Sequence, residues 1–272
     1  VTSSGVAPRQ DGEAALRLLR DGELTVEGRL VDASNTTLRG ILTLDGETAR
    51  CVYKPVRGER PLWDFPDGTL AGREVAAYLV SVATGWDLVP PTVLREGPFG
   101  PGSCQLWIDE PDDAEPLVGF VPADALPPRW FPVAAARDDD GTPYALAHAD
   151  DPRLARLAIF DAVINNADRK GGHVLLGPDD RIYGVDHGVS FHVEGKLRTV
   201  LWGWAGRLLP ADGVQALDRL ARQVAGPLGA ELAEHLTLGE IAELAARVDR
   251  LREHCRFPQP SAEWPAVPWP PL

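Results

Sequence analysis

Residues 165–173 read Asn165-Asn166-Ala167-Asp168-Arg169-Lys170-Gly171-Gly172-His173. Two amides, a carboxylate, two bases, two glycines and an imidazole stand together between apolar stretches, a composition that a plain connection does not need. Asp168 can orient or deprotonate an attacking hydroxyl, and Lys170 can steady charge that moves during a transfer. The alternative is a helix C-cap in which Gly171 and Gly172 supply positive φ. Downstream, Asp186-His187-Gly188 closes an apolar run. A carboxylate at a strand end, backed by glycine, suits a phosphate-bound divalent metal, although an ordinary Asp-Gly turn reads the same way. Upstream stands Lys54 in Cys51-Val52-Tyr53-Lys54-Pro55, followed by Glu74. A strand lysine facing a helix glutamate makes a paired ammonium that can hold phosphate oxygens; otherwise both are surface charges that never meet. The chain has only three lysines, Lys54, Lys170 and Lys196, and arginine supplies the rest of its positive charge. Lysine can be kept where a compact ammonium is wanted in place of a planar fork, although three lysines can also fall anywhere by chance.

The elements that must position these residues are legible in part. Gly12 to Arg20 is an amphipathic helix candidate, followed by strand-like runs at Leu24–Val31, Thr37–Leu44 and Thr48–Tyr53. Asp45-Gly46 between the second and third runs is a hairpin signal, so an antiparallel meander delivers Lys54. Ala71 to Thr84 reads as a helix carrying Glu74 near its start, and Val89–Leu94 and Ser103–Ile108 as two further strands. The Pro- and Asp-rich stretch from Asp109 to Asp151 has too little periodicity for assignment and reads as an insertion or a linker. Leu154–Asn165 is a helix that runs into the Asp168 loop; the strands Val174–Leu176 and Ile182–Val185 then deliver Asp186. Thr237-Leu238-Gly239-Glu240 is a capping box that opens a C-terminal helix. The Pro- and Trp-rich residues from Phe257 to Leu272 read as an extended tail.

A strand lysine, a helix glutamate, a loop aspartate and then an aspartate after a hairpin follow the order of parts in a kinase-type phosphotransferase. On these residues the chain resembles the phosphatidylinositol 3-/4-kinase-like family. Asp168-Arg169-Lys170-Gly171-Gly172-His173 is similar to that family's Asp-Arg-His-x-x-Asn loop, and Val185-Asp186-His187-Gly188 to its Ile-Asp-Phe-Gly metal motif. The phrases Val52-Tyr53-Lys54-Pro55, Gly58–Pro66 and Asn165–Lys170 resemble a bacterial branch of the same family over most of the chain. The resemblance implies an α+β, two-lobed protein-kinase-like fold, with an antiparallel-sheet N-lobe over residues 1–110 and a mainly helical C-lobe over 111–272. It further implies ATP and a divalent metal as cofactors. Lys54 would bind phosphates, Glu74 would position it, Asp168 would act as base with Lys170 beside it, and Asp186 would hold the metal. The loop over the phosphates would be Asp32–Thr36, which lacks glycine and so would use its backbone or Ser34, next to Asn35. Adenine would lie against Gln105, Trp107 and Ile108, at a hinge between lobes. Lys196, Arg198 and Thr199 would fall in the activation segment, either contacting a substrate phosphate, undergoing self-phosphorylation at Thr199, or forming a solvated charge run. His173 stands where the family has its metal-binding Asn, and imidazole favours Mn²⁺ over Mg²⁺.

Composition limits the alternatives. A net charge of -13 disfavours nucleic acid and anionic bilayers as partners. Three widely spaced cysteines suit neither a disulfide framework nor a zinc site, and Val1–Gly5 carries no secretion signal, so a cytoplasmic setting is expected. No apolar run approaches the ~20 residues of a membrane span. The expected phosphate acceptor is a protein, this chain itself included, or a small molecule. A nucleotide-binding pseudokinase, a nucleotidyl transferase on the same fold, and a metal-dependent hydrolase using His173, Asp186, His187 and His192 are the competing readings.

Overall fold

The computed structural model describes residues 12–30, 35–60, 62, 64–65 and 68–272. They divide into two compact units: the described residues up to Arg60 together with Pro91–Trp107, and those of 61–90 together with Ile108–Leu272.

The first unit is a helix on an antiparallel sheet. Helix α1 (Gly12–Asp21) buries Ala15, Leu18 and Leu19 and leaves Arg17 and Arg20 in solvent, as its apolar spacing dictates. The strands β1 (Glu23–Arg29), β2 (Leu38–Leu44), β3 (Glu47–Pro55), β4 (Thr92–Gly97) and β5 (Gly100–Leu106) form a sheet in the order β1-β2-β3-β5-β4. Asp45 and Gly46 both take positive φ, 52° and 86°, the backbone a two-residue type I′ hairpin requires. Strand β4 starts after Pro90-Pro91, later than the expected Val89, because proline has no N–H to give a ladder. Leu18, Leu19, Leu42, Cys51, Val93 and Cys104 make the small core of this unit. Since Cys51 points into that core, period-2 alternation puts Val52 and Lys54 on the opposite face of β3.

The second unit is mainly helical. Helix α2 (Leu70–Thr84) is capped by Thr69, whose hydroxyl accepts from Gly72 N, and stops at left-handed Gly85, φ 72°. It groups with this unit because its buried face packs on α4 (Ala211–Val224) and α5 (Pro227–Leu232). Helix α3 (Pro152–Ile164) opens with an Asp151 cap and Pro152, and from Leu157 to Ile164 every residue is buried. Apart from Asp161, which pairs with Arg169, these residues are apolar all round, as suits a helix inside a core; full burial of a side chain such as Leu157 or Phe160 contributes roughly 1.5–3 kcal/mol. Helix α6 (Leu238–His254) begins with the expected Thr237/Glu240 capping box. Glu240 also pairs with Arg73 of α2, both side chains almost fully buried.

The stretch without periodicity holds a three-stranded antiparallel sheet, β6 (Val118–Pro122), β7 (Trp130–Arg137) and β8 (Pro143–Ala149), in the order β6-β8-β7. Its signal is weak because β8 is alanine-rich and the pairing of β7 shifts register between Pro132 and Ala134. The short hairpin β9 (Val174–Leu176) and β10 (Ile182–Gly184) follows α3 and leads to Asp186. The tail is extended. Ala266 O accepts from Thr199 N at 3.0 Å, and Pro271 O from Gly171 N at 2.8 Å.

Candidate functional site

Helix α3 stops at Asn165, which takes the left-handed conformation (φ 55°). Gly171 and Gly172 are absent from the positive-φ residues, so Asn165 performs the capping that the glycines were an alternative for. Gly171 serves a different need: a Cβ there would come within 2.4 Å of Leu272 Cδ2. Asn165 also reaches forward, donating to His192 O (2.9 Å) and Glu194 O (2.6 Å) and accepting from Lys196 N (2.9 Å). Asn166 spans the loop, donating to Asp161 Oδ1 at 3.0 Å and accepting from Asp168 N at 3.0 Å.

Asp168 therefore leaves the helix in a fixed orientation. Its carboxylate lies 3.3 Å from Lys170 Nζ and 3.7 Å from Arg198 Nη2. Burial holds its pKa above the ordinary carboxylate value and the negative charge of Asp186 adds to this, while Lys170 and Arg198 pull the other way. A carboxylate whose proton affinity is raised, and which stays a quarter exposed, is suited to take a proton from a hydroxyl.

Asp186 has φ 61°, an uncommon conformation for a residue with a side chain. Its neighbours over-determine it. Val185 N donates to His173 O (3.0 Å), Val185 O accepts from Arg169 Nη1 (2.8 Å), and His187 N donates to Glu74 Oε2 (3.0 Å). The strain is thus held by hydrogen bonds on both sides of one carboxylate. Asp186 Oδ2 lies 3.4 Å from His173 Nε2, with the aspartate side chain half exposed.

A buried polar chain ties these parts together. Arg169, with no exposed surface, binds Asp161 through Nε (2.9 Å) and Nη2 (2.9 Å), donates to His173 O (3.1 Å), and meets His187 Nε2 at 2.6 Å. Glu74 closes the chain at His187 N. Asp161, Arg169 and His187 do not read as a network in the sequence, because an arginine in a polar loop reads as a surface charge. The Asn-Asn pair that ends α3 was the available signal.

The pair His173 and Asp186 is brought together, and so are Asp168 and Lys170. His187 and His192 do not join them: His187 faces Arg169, and His192 accepts from Glu194 N (2.9 Å) with its ring edge-on to Phe65. Among the described residues no three His, Cys, Asp or Glu side chains form a group that could hold a metal. A two-ligand pair fits a cation that takes its remaining ligands from phosphate and water, and two cis ligands of an octahedral ion lie about 3 Å apart.

In the first unit, Lys54 stands opposite Ser103 and Val52 opposite Gln105, so Lys54 and Gln105 share one face of the sheet. The Gln105 amide donates to Thr92 Oγ1 at 2.8 Å. Trp107 lies past the end of β5, its N donating to Arg50 O (3.0 Å) and its ring under the Arg50 guanidinium. Half-buried Ile108 follows as the first residue of the second unit's longer segment. Asn35 accepts from Arg60 N (2.9 Å); Ser34 lies outside the described residues. Thr199 is 3% exposed, and its hydroxyl accepts from Leu201 N at 3.0 Å, so it is not presented for self-phosphorylation.

Comparison with solved structures gives this architecture a precedent. The Golgi casein kinase with Mn/ADP bound superposes with TM-score 0.53 at 14% identity, covering 90% of this chain and 75% of that one. Hydra Fam20 with sugar superposes with TM-score 0.54 at 13% identity, covering 94% and 91%. These likenesses establish an atypical, protein-kinase-like α+β fold. No family model matches the sequence. Among curated proteins, "Protein Rv2133c" of Mycobacterium tuberculosis is 51% identical over 269 residues, 96% of each chain. The chain belongs to the family of that mycobacterial protein.

Proposed function

We propose that the protein is an ATP- and divalent-metal-dependent phosphotransferase, an atypical kinase whose acceptor is a protein or a small molecule. The observation that carries this reading is the placement of Asp168 between Lys170 and Arg198, in the same buried network that fixes the His173–Asp186 pair. The phosphatidylinositol-kinase-like motifs of the Asp168 loop and of Val185–Gly188 support it, as does the fold.

In this reading Asp168 accepts the proton of the acceptor hydroxyl, and Lys170 and Arg198 limit the cost of the buried carboxylate. His173 and Asp186 hold the metal, with Mn²⁺ preferred for the imidazole. When bound, that ion neutralises charge on the phosphate oxygens. Lys54 binds the nucleotide phosphates from its face of β3, and Gln105, Trp107 and Ile108 receive the adenine. Glu74 positions Lys54 in this reading, and it also accepts from His187 N beside the strained backbone of Asp186. No described helix is long and apolar enough to cross a membrane, and a cytoplasmic site of action is proposed on the reduced-thiol composition.

The test is ADP formation from ATP with Mn²⁺ or Mg²⁺. Wild type is expected to turn over, and Asp168→Ala and Asp186→Asn to lose at least ~100-fold while keeping their fold. ATP-dependent stabilisation without turnover would instead assign a nucleotide-binding pseudokinase. No turnover and no nucleotide binding would remove the reading altogether.

A further inference from the structure

The third lysine is not used by the chemistry above, and its surroundings are unusual. Lys196 is 2% exposed. Its Nζ lies 3.2 Å from Asp64 Oδ2, 3.8 Å from Glu194 Oε2 and 4.6 Å from the centroid of the Trp264 ring, with the Phe65 ring at 5.9 Å. Phe65 is itself held, edge-on to His192 and beneath the Arg73 guanidinium. A buried ammonium is tolerated only when paired, and here two carboxylates and two aromatic faces surround it.

The backbone around Lys196 runs parallel to the Asp168 loop. Lys196 N donates to Asn165 Oδ1, Arg198 N to Asn166 O (2.9 Å), Arg169 N to Arg198 O (3.0 Å) and Val200 N to Arg169 O (3.2 Å). Two residues beyond Lys196, Arg198 donates from Nε to Ala167 O at 2.7 Å and places Nη2 against Asp168. The lysine cage and the catalytic carboxylate are therefore connected by two residues of chain and a short ladder.

We propose that Lys196 is a positioning residue, a built-in latch that holds residues 192–200 on the Asp168 loop and so fixes Arg198 against Asp168. Kinase activation segments are commonly ordered by a phosphate that recruits a cation. In this chain the cation is Lys196 and the anion is the Asp64 carboxylate, so the segment is ordered without covalent modification. The consequence for catalysis rests on the phosphotransferase reading; the latch itself does not.

The experiment is hydrogen exchange, followed by mass spectrometry, on the full chain carrying Lys196→Met, Asp64→Asn or both. The amides of Lys196, Arg198, Thr199 and Val200 are expected to exchange at least ~10-fold faster in each single variant. The double variant should exchange no faster than the faster single one, because both changes break one pair. The peptide covering α6 reports global folding and should stay protected. If either single variant loosens α6 as well, the double variant decides, since it leaves neither charge buried without its partner: faster exchange at 196–200 with α6 still protected is then the expected result. Unchanged protection of 196–200 in the variants, or additive effects, would overturn the latch. Turnover, measured in parallel, is expected to drop in kcat with KM for ATP unchanged, and to be indifferent to prior phosphatase treatment. Should wild type show no turnover, the exchange result still decides the latch and only the kinase reading falls.

Discussion

Asp168 pays for its position. Burial raises its pKa, so in the folded protein the charged form is disfavoured relative to the unfolded chain, and the ionised carboxylate subtracts stability at neutral pH. Asp168→Asn should therefore leave the melting temperature at or above wild type, while turnover falls by roughly 10²–10⁴. A variant that lost both together would mark Asp168 as structural. His173 offers a second residue-level test. His173→Asn should lower the ratio of Mn²⁺- to Mg²⁺-supported turnover, because an amide oxygen suits the harder ion; an unchanged ratio would remove His173 from the metal site. These polar residues stood out in the sequence because loops rarely concentrate such groups. Their supports did not. Arg169 and Asp161 show no exposed surface, yet nothing in a linear string distinguishes a buried ion pair from two solvated charges.

Elements are joined by that same pair. Arg169 connects the end of α3 with the loop and with the chain after β10. Arg169→Met leaves Asp161 charged and buried without its partner, which should destabilise the fold by about 3–5 kcal/mol. Asp161→Leu combined with Arg169→Met should recover part of that loss, as read from chemical denaturation. A further joint lies at His148 on β8, fully buried and tilted against Trp204 with ring centroids 4.5 Å apart. Its Nδ1 contacts Ala149 O (2.9 Å), and its Nε2 accepts from Gly203 N (3.0 Å), so a second ring proton would face an N–H. Burial lowers its pKa from 6.5 to about 4. Below pH 6.5 the unfolded chain binds a proton that the folded chain refuses, so stability should fall as pH drops from 6.5 towards 4. The loss is on the order of 3 kcal/mol. His148→Gln should flatten that part of the stability curve; an unchanged slope would place the titration elsewhere. At this scale the Asp45-Gly46 hairpin and the Thr237 capping box were legible because each is a local code. The sheet of β6, β7 and β8 was not, since its alanines and its bulge leave no clean alternation.

For the whole molecule, the order of the motifs announced the architecture more clearly than any single element did. A meander ending in Lys54, a helix, a polar loop and a hairpin ending in Asp186 fit one kinase-like fold, and the superpositions agree with it. The unit boundaries were harder to read, because α2 follows the first strands in sequence but buries its face among the later helices. The acceptor is likewise outside what sequence order encodes. The central claim concerns which phosphorus moves, and it is tested most directly by offering the purified chain ATP labelled at the γ- or the α-phosphate, with Mn²⁺ or Mg²⁺, beside Asp168→Asn. Transfer or release of the γ-label alone, dependent on metal and absent from the variant, is the expected result. Label arriving from the α-phosphate, or γ-transfer that persists in Asp168→Asn, would contradict it.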